Sequence, residues 1–510
     1  MFAQALARTA QIYGNRPATI STAGVQTWRE FVDRIQSVAA GLRGLALQPG
    51  DRVAILAGNT AEHLTMMYAV AWAGCVLVPL NVRLSAEEMA QIVDESGASA
   101  IAGDGANLKA LTSLATSVKR TPVWIDLDGE TGQGQTLDAL SHSAGLDPWQ
   151  ADMSDLAALF YTGGTTGRPK GVMVSDGALT VQTLNLVNDL NVSADTVYMH
   201  APPLFHLAGA GVAHACSFAG ATQIFPADLS PPEFLKMVSE NRVSLVSLIP
   251  TMLAGMMDAA NVSDAFRAVR TIVYGAAPIS EALLRKVIKR CPDVNLVQIY
   301  GQTECTGPCL ILPPERHTLT GPLAGKLQTA GRANMVSEVR IADEAGQPVE
   351  PGIAGEILIR GASVMLGYWQ QPDITRQTLR DGWLHTGDVG VMDEEGFVCI
   401  ADRLKDMIVT GGENVFCGEV ENVISEHPDV TACAVVGLPD EKWGERVHAV
   451  AVIKEGAKLT EEALRDHCKT LIAGYKCPRS ATLTTEPLPL SAVGKVRKDL
   501  IRNQLAGQRR

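Results

Sequence analysis

Residues 161–170 read Tyr-Thr-Gly-Gly-Thr-Thr-Gly-Arg-Pro-Lys. A loop of this composition offers many free backbone N–H groups, several hydroxyls and one lysine. Oriented amides make an anion-binding concavity and Lys170 adds a point charge, so the loop is suited to close around a polyphosphate. It is not a Walker A loop. That pattern needs Gly-x-x-x-x-Gly-Lys-Ser/Thr opening a helix, and here Pro169 stands directly before Lys170. A glycine-threonine run also serves as a plain surface turn, and the loop alone does not decide between the two.

Four further segments have the residue types of a reaction centre. Tyr300-Gly-Gln-Thr-Glu304 follows an apolar strand, which puts its polar residues at a strand's carboxyl end, where open α/β sheets hold ligands. Gly382-Trp-Leu-His-Thr-Gly-Asp388 ends in a carboxylate on a turn. Asp402-Arg-Leu-Lys-Asp406 leads into Met-Ile-Val-Thr-Gly-Gly-Glu-Asn, and Pro489-Leu-Ser-Ala-Val-Gly-Lys495 sets a lysine after a glycine turn.

The elements that must position these residues read as α/β. Thr27 and Glu30 form a capping box for a helix with Phe31, Ile35, Val38 and Leu42 on one face. Pro-Gly-Asp at 49–51 then turns into a short buried strand, Val-Ala-Ile-Leu. A helix after Asn59-Thr60, a strand over 75–78, a capping box at Ser85 and Glu88, and a strand over 99–102 follow. The apolar stretch from Leu64 to Leu80 reads as a buried helix passing into a strand, since a membrane-spanning helix needs about 20 apolar residues. Helices alternating with short apolar strands predict a largely parallel sheet covered on both faces, continuing through 270–274 and 296–300. Beyond about 335 the texture changes to short strands with glycine turns at 338–341, 355–360 and 397–401, a smaller β-rich module. After residue 406 α+β units return.

Composition bounds the rest. The chain has 510 residues, 46% apolar and 19% charged, which fits several domains with large cores. A formal net charge of -12 argues against a nucleic-acid partner or an anionic membrane surface. The ten cysteines include no Cys-x-x-Cys pair, so free thiols in a reducing cytosol are expected. No integral membrane segment or signal peptide is evident, and the expected location is cytoplasmic.

Taken together, the five motifs in this order resemble the adenylate-forming superfamily of acyl-CoA synthetases, luciferases and peptide-synthetase adenylation domains, from about residue 10 to 500. The resemblance implies an N-terminal AMP-binding domain over 1–401, a hinge at 402–406 and a mobile C-terminal domain over 407–510. It implies an acid–thiol ligase: a carboxylate attacks the α-phosphate of ATP to give acyl-AMP and pyrophosphate, and the thiol of coenzyme A then displaces AMP. ATP, Mg²⁺ and coenzyme A are the implied cofactors. On this resemblance Thr162, Gly163, Gly164, Thr165, Thr166, Gly167 and Lys170 hold the β- and γ-phosphates. Glu304 binds the metal, Thr303 touches the α-phosphate, and Tyr300 stacks on adenine beside Gly275, Ala276 and Ala277. Asp388 takes both ribose hydroxyls with support from Arg403. Lys495 bridges substrate carboxylate and α-phosphate. Rotation at Lys405 would withdraw Lys495 and bring Gly411 and Gly412 to the site. Where the family usually has serine, this chain has Gly163, at a cost of about 1–2 kcal/mol in phosphate grip if no other hydroxyl replaces it.

The resemblance favours coenzyme A as acceptor through Asp440-Glu-Lys-Trp-Gly-Glu-Arg446, with Trp443 and Tyr475 near the CoA adenine and Lys476 and Arg479 near its phosphates. Delivery to a carrier protein and a luciferase-like second step are the alternatives. The substrate is a small-molecule carboxylic acid. Relatives that activate amino acids carry an aspartate shortly after the position of Phe205, whereas this chain has Phe205-His206-Leu207-Ala208-Gly209, and burying an unpaired ammonium is costly. His206 is expected to line the pocket near the carboxylate. Small residues from Ala208 to Gly211, with Ala213, suggest room for a tail or ring, facing a wall of Gly301, Thr306, Gly307 and Pro308. Medium or longer fatty acids and aryl or arylalkenyl acids both fit, and a homodimer is left open.

Overall fold

The computed structural model describes residues 2–162, 169–277, 279–403, 406–411, 413–440, 442–490 and 496–507. Two helix-flanked sheets make the large N-terminal part. In the first, the strands Arg52–Leu56, Val76–Pro79, Ala100–Gly103, Val123–Asp126 and Leu156–Thr162 run parallel. Lys170–Ser175 folds back antiparallel on Leu156–Thr162, and the two-residue strand Gly367–Tyr368 closes that edge. In the second, Pro17–Ser21, Thr222–Ile224, Val197–Met199, Leu245–Leu248, Thr271–Gly275 and Asn295–Gln302 are parallel, and Gly307–Leu312 returns antiparallel on the last. Strands such as Leu245–Leu248 are buried at every position, as a sheet covered on both faces requires.

The expected helix signals are present as hydrogen bonds. Both capping boxes form, at Thr27 with Glu30 and at Ser85 with Glu88. Phe31, Ile35, Val38 and Leu42 are all buried along the helix Trp28–Gly44. The apolar stretch splits into the buried helix Ala61–Trp72, capped by Thr60, and the strand Val76–Pro79. Among the described residues no helix is long and apolar enough to cross a membrane. All ten cysteines are free thiols.

The β-rich module is antiparallel throughout: Ser337–Ala342, Ala354–Gly361, Trp383–Met392 and Val398–Arg403, with Leu379–Arg380 on Trp383. The small C-terminal domain has its own sheet, Ile408–Thr410, Glu413–Val415, Val430–Asp440, Gly444–Ile453 and Ser480–Thr484. Its buried clusters draw only on residues from Ile408 onward, so it carries a core separate from the rest.

Candidate active site

The ends of two sheets converge on one small group of side chains. Thr162 pairs with Lys170 across the hairpin, which brings together the two ends of the glycine-threonine segment. Gly163, Gly164, Thr165, Thr166 and Gly167 lie outside the described residues. Lys170 Nζ stands 5.1 Å from the centre of the Tyr368 ring, and the Tyr368 hydroxyl donates to Glu304 Oε1 at 2.8 Å. Burial, and next the neighbouring Glu304 carboxylate, push the Tyr368 hydroxyl above its usual range, so it stays a donor. Tyr368 is held there because Gly367–Tyr368 pairs with Met173 and Val172, three and two residues beyond Lys170 on its strand. Glu304 sits with half-buried Thr303 in the turn Thr303–Cys305 that ends the strand Asn295–Gln302, and its carbonyl accepts from Met365 N–H at 2.8 Å. The loop lysine and the carboxylate expected to hold Mg²⁺ thus meet around one tyrosine.

That arrangement fits the ion. Glu304 is half-buried, with one carboxylate oxygen engaged by Tyr368. A hard carboxylate oxygen beside a segment expected to hold phosphates is the donor type Mg²⁺ takes, alongside phosphate and water oxygens.

The group around Asp388, expected to meet the ribose, is tighter. Asp388 is 5% exposed, and its Oδ2 accepts from the Tyr300 hydroxyl at 2.6 Å and from Gln302 Nε2 at 2.8 Å. Gln302 Nε2 also reaches the Thr386 carbonyl at 3.0 Å, and Asp388 N–H donates to Thr386 Oγ1. Burial, and then the Asp388 carboxylate, raise the Tyr300 hydroxyl well above its ordinary range, so it too remains a donor. Two donors on a single oxygen fix the orientation of the carboxylate. In the antiparallel ladder Asp388 stands opposite Arg403.

The glycines beside this group answer to backbone crowding. A Cβ on Gly275 would lie 2.2 Å from the Ile299 carbonyl oxygen, and one on Gly301 would lie 1.8 Å from that of Gly307. Gly275 therefore has a packing reason of its own, apart from any adenine. Ala276, exposed at the strand end, takes a left-handed φ of 62°, which non-glycine residues seldom adopt, and half-buried Ala277 follows it.

The acyl side differs in part from the sequence reading. Half-buried His206 precedes the helix Leu207–Ala219, its ring tilted against Phe205 at 4.8 Å. Ala210 and Ala213 are fully buried in the core, and a Cβ on Gly209 would strike the Pro203 carbonyl at 2.3 Å. These three are small in order to pack, and only Ala208 and Gly211 remain half-exposed on that helix start. Behind the opposite wall stands a residue that sequence reasoning missed. Gln182, 2% exposed on the helix Asp176–Asp189, donates Nε2 to the Pro308 carbonyl at 2.5 Å and lies 3.6 Å from where a Gly307 Cβ would be. One turn on, Leu186 faces Gly211. Gln182 Oε1 is buried with no hydrogen-bond partner among the described residues. The same helix carries Thr180, Thr183, Asn185 and Asn188, so nothing in the sequence set this amide apart.

In the C-terminal domain Gly411, at φ 62°, donates its N–H to the Trp443 carbonyl at 2.8 Å, and a Cβ there would touch the Trp443 ring. Arg479 lies over the same ring at 4.2 Å, and Lys476 is held by Glu419 at 2.7 Å. Tyr475 is 40% exposed with Lys476 over its ring. Leu490 bridges to Val496, and Arg497 N–H donates to the Pro489 carbonyl, on either side of the segment containing Lys495. Lys495, Lys405 and Gly412 lie outside the described residues.

The family model described as AMP-binding enzyme matches residues 6–369, and that of the AMP-binding enzyme C-terminal domain matches 419–495. The chain is 36% identical over 481 residues to a feruloyl-CoA synthase of an Amycolatopsis species, covering 94% of each. Its structure is similar to that of ATP-bound MatB from Rhodopseudomonas palustris, with a TM-score of 0.89 at 29% identity over 99% of both chains. It is also similar to O-succinylbenzoate coenzyme A synthetase (MenE) from Bacillus subtilis in complex with ATP and magnesium ion, with a TM-score of 0.84 at 29% identity over 98% of this chain and 99% of that one. The chain belongs to the AMP-binding enzyme family, in its acid–CoA ligase branch.

Proposed function

We infer that this AMP-forming acid–CoA ligase activates an aryl or arylalkenyl acid whose ring carries a hydrogen-bond donor at the end far from the carboxylate. The observation that carries the reading is Gln182 Oε1. Its amide cannot be turned round, because Nε2 donates to a carbonyl already shared with Asn334 Nδ2 at 2.8 Å. The oxygen is therefore an acceptor, buried at the Gly307–Pro308 wall, and leaving it unpaired costs about 1–3 kcal/mol. A phenolic hydroxyl meets that need, whereas an alkyl chain leaves it unmet. The feruloyl-CoA synthase among the relatives supports an acid of this kind.

In the first step a substrate carboxylate oxygen forms a bond to the α-phosphorus while the bond from that phosphorus to the bridging oxygen breaks, releasing pyrophosphate. Lys170 draws the β- and γ-phosphates, Asp388 fixes the ribose, Thr303 meets the α-phosphate, and Lys495 neutralises the meeting of two anions. Glu304 would hold Mg²⁺, which supplies charge neutralisation at the phosphate oxygens when bound. In the second step the coenzyme A sulfur bonds to the acyl carbon, the carbon–oxygen bond to AMP breaks, and the thiol proton leaves to solvent. Residues 402–406 act as the hinge that exchanges Lys495 for the Gly411 segment, with Trp443, Arg479 and Tyr475 on the coenzyme A side. Neither carrier-protein delivery nor an oxygen-dependent step is favoured.

The test compares kcat/KM for 4-hydroxycinnamate, cinnamate and octanoate in wild type and Gln182→Leu. The expectation is a preference of about tenfold or more for the hydroxylated acid, erased or reversed by the substitution. Equal loss on all three acids, or a wild-type preference for octanoate, would sink this assignment while leaving the ligase activity standing.

A further inference from the structure

On the β-rich module, away from the phosphate segment, a cavity of about 280 Å³ opens between two hairpin turns. Arg340, Arg380 and His385 line it, with Gln347 and Asp381 at its turns and Trp383 beneath. The Arg340 guanidinium carbon lies over the Trp383 indole, 4.0 Å from the ring centre, and Trp383 is 5% exposed. Stacking leaves a guanidinium's in-plane donors available. Among the described residues the buried Arg340 Nε has no hydrogen-bond partner, and no carboxylate lies within 4.0 Å of the group.

Its neighbours are placed differently. Arg360, on the same indole, is paired with Glu338. Arg380 approaches His385 Nδ1 and lies 3.8 Å from Glu356 Oε2, which His385 meets at 2.7 Å. Glu356 is already committed, for its other oxygen accepts from Gly387 N–H at 2.9 Å. Asp381 is an exposed carboxylate at the rim. Arg340 is half-exposed and has no counter-ion among the described residues, and two guanidiniums with an amide converging on one cavity form the donor set that takes an anion through paired N–H bonds.

We propose that this cavity is a binding site for a small oxyanion, the phosphate or carboxylate end of a metabolite, held chiefly by Arg340 and Arg380. His385 and Glu356 connect it to Gly387, which immediately precedes Asp388. The site is distinct from the substrate phosphates, which meet Lys170.

The experiment uses the full chain saturated with α,β-methylene-ATP and Mg²⁺, so that the phosphate segment is filled. Inorganic phosphate is titrated and its ³¹P line width followed, with a parallel arm using acetate and its ¹H line. The expected result is saturable broadening in wild type and in Lys170→Met, weakened at least tenfold in Arg340→Met and in Arg380→Met. Phosphate binding tighter than acetate would assign a phosphoryl ligand, and the reverse a carboxylate; either supports the site. Arg380 is exposed, so Arg380→Met keeps the test decisive if Arg340→Met fails to fold. No saturable broadening by either anion, or broadening unchanged in both arginine variants, overturns the proposal.

Discussion

Replacing Tyr300 by phenylalanine removes one oxygen and keeps the ring, which separates two roles the residue could have. Its hydroxyl donates to Asp388 Oδ2 at 2.6 Å, inside the range of short O–H···O⁻ bonds, and Asp388 is 5% exposed. A hydrogen bond to a buried charge is worth about 1.5–3 kcal/mol. Gln302 Nε2 still holds the same oxygen at 2.8 Å, so the carboxylate keeps part of its orientation and the loss should fall at the low end. At about 1.4 kcal/mol per tenfold, KM for ATP should rise roughly tenfold in Tyr300→Phe. Adding Gln302→Leu should cost more than the sum of the single changes, because either donor alone keeps part of the carboxylate's orientation and losing both lets it turn. The assay is pyrophosphate release at fixed acid, titrating ATP and 2′,3′-dideoxy-ATP. Wild type should discriminate strongly between the two, and Tyr300→Phe should narrow that ratio. If KM for both nucleotides rises equally, the hydroxyl does not act through the ribose. If neither changes, the Tyr300–Asp388 bond has no part in nucleotide binding, and only the ring matters, as stacking on adenine would have it.

Tyr368→Phe should raise the Mg²⁺ concentration for half-maximal pyrophosphate release about fivefold, since the half-exposed Glu304 can replace one donor with water at a cost of about 1 kcal/mol; an unchanged Mg²⁺ dependence would detach Tyr368 from the metal. Gly301→Ala should destabilise by more than about 3 kcal/mol in urea melts because its Cβ would meet a carbonyl oxygen at 1.8 Å, while Gly211→Ala, facing only the tip of Leu186 at 3.1 Å, should fold nearly as wild type; equal stabilities would contradict the crowding. Burial pulls His200 and His214 down to about 3 and His317 to about 4, and also lowers His63. The unfolded chain takes up these protons below about pH 6.5 and the native one does not, so the stability is complete above that pH and falls as pH drops toward 4. Each of the three contributes about 1.4 kcal/mol per pH unit at most, and the urea midpoint should fall steeply from pH 6.5 to 5 and less so in His200→Gln; a flat profile would mean these rings are accessible to protons in the native state.

What was legible in the chain was local. Capping boxes, the buried helix after Thr60 and the motifs around Glu304 and Asp388 all express their physics within a few residues, so spacing alone exposes them. What escaped depends on distant chain. Tyr368 reaches Glu304 only because a two-residue strand pairs with Val172 and Met173, and two residues carry no periodicity to read. The helix Leu207–Ala219 has no charged residue, so its pattern does not say which side meets a cavity and which meets the core. That is why Gly209, Ala210 and Ala213 read as pocket space when they are packing. Gln182 is the converse case: on a helix that also carries Thr180, Thr183, Asn185 and Asn188 one more amide stands out only once Pro308, 126 residues away, takes its N–H and leaves its oxygen as an acceptor. Residues that make the common chemistry of the family stand in short motifs because phosphate, ribose and metal must be met within one turn of backbone. The residue proposed to choose the acid sits instead on a buried helix behind the site, where only the folded contacts reveal it.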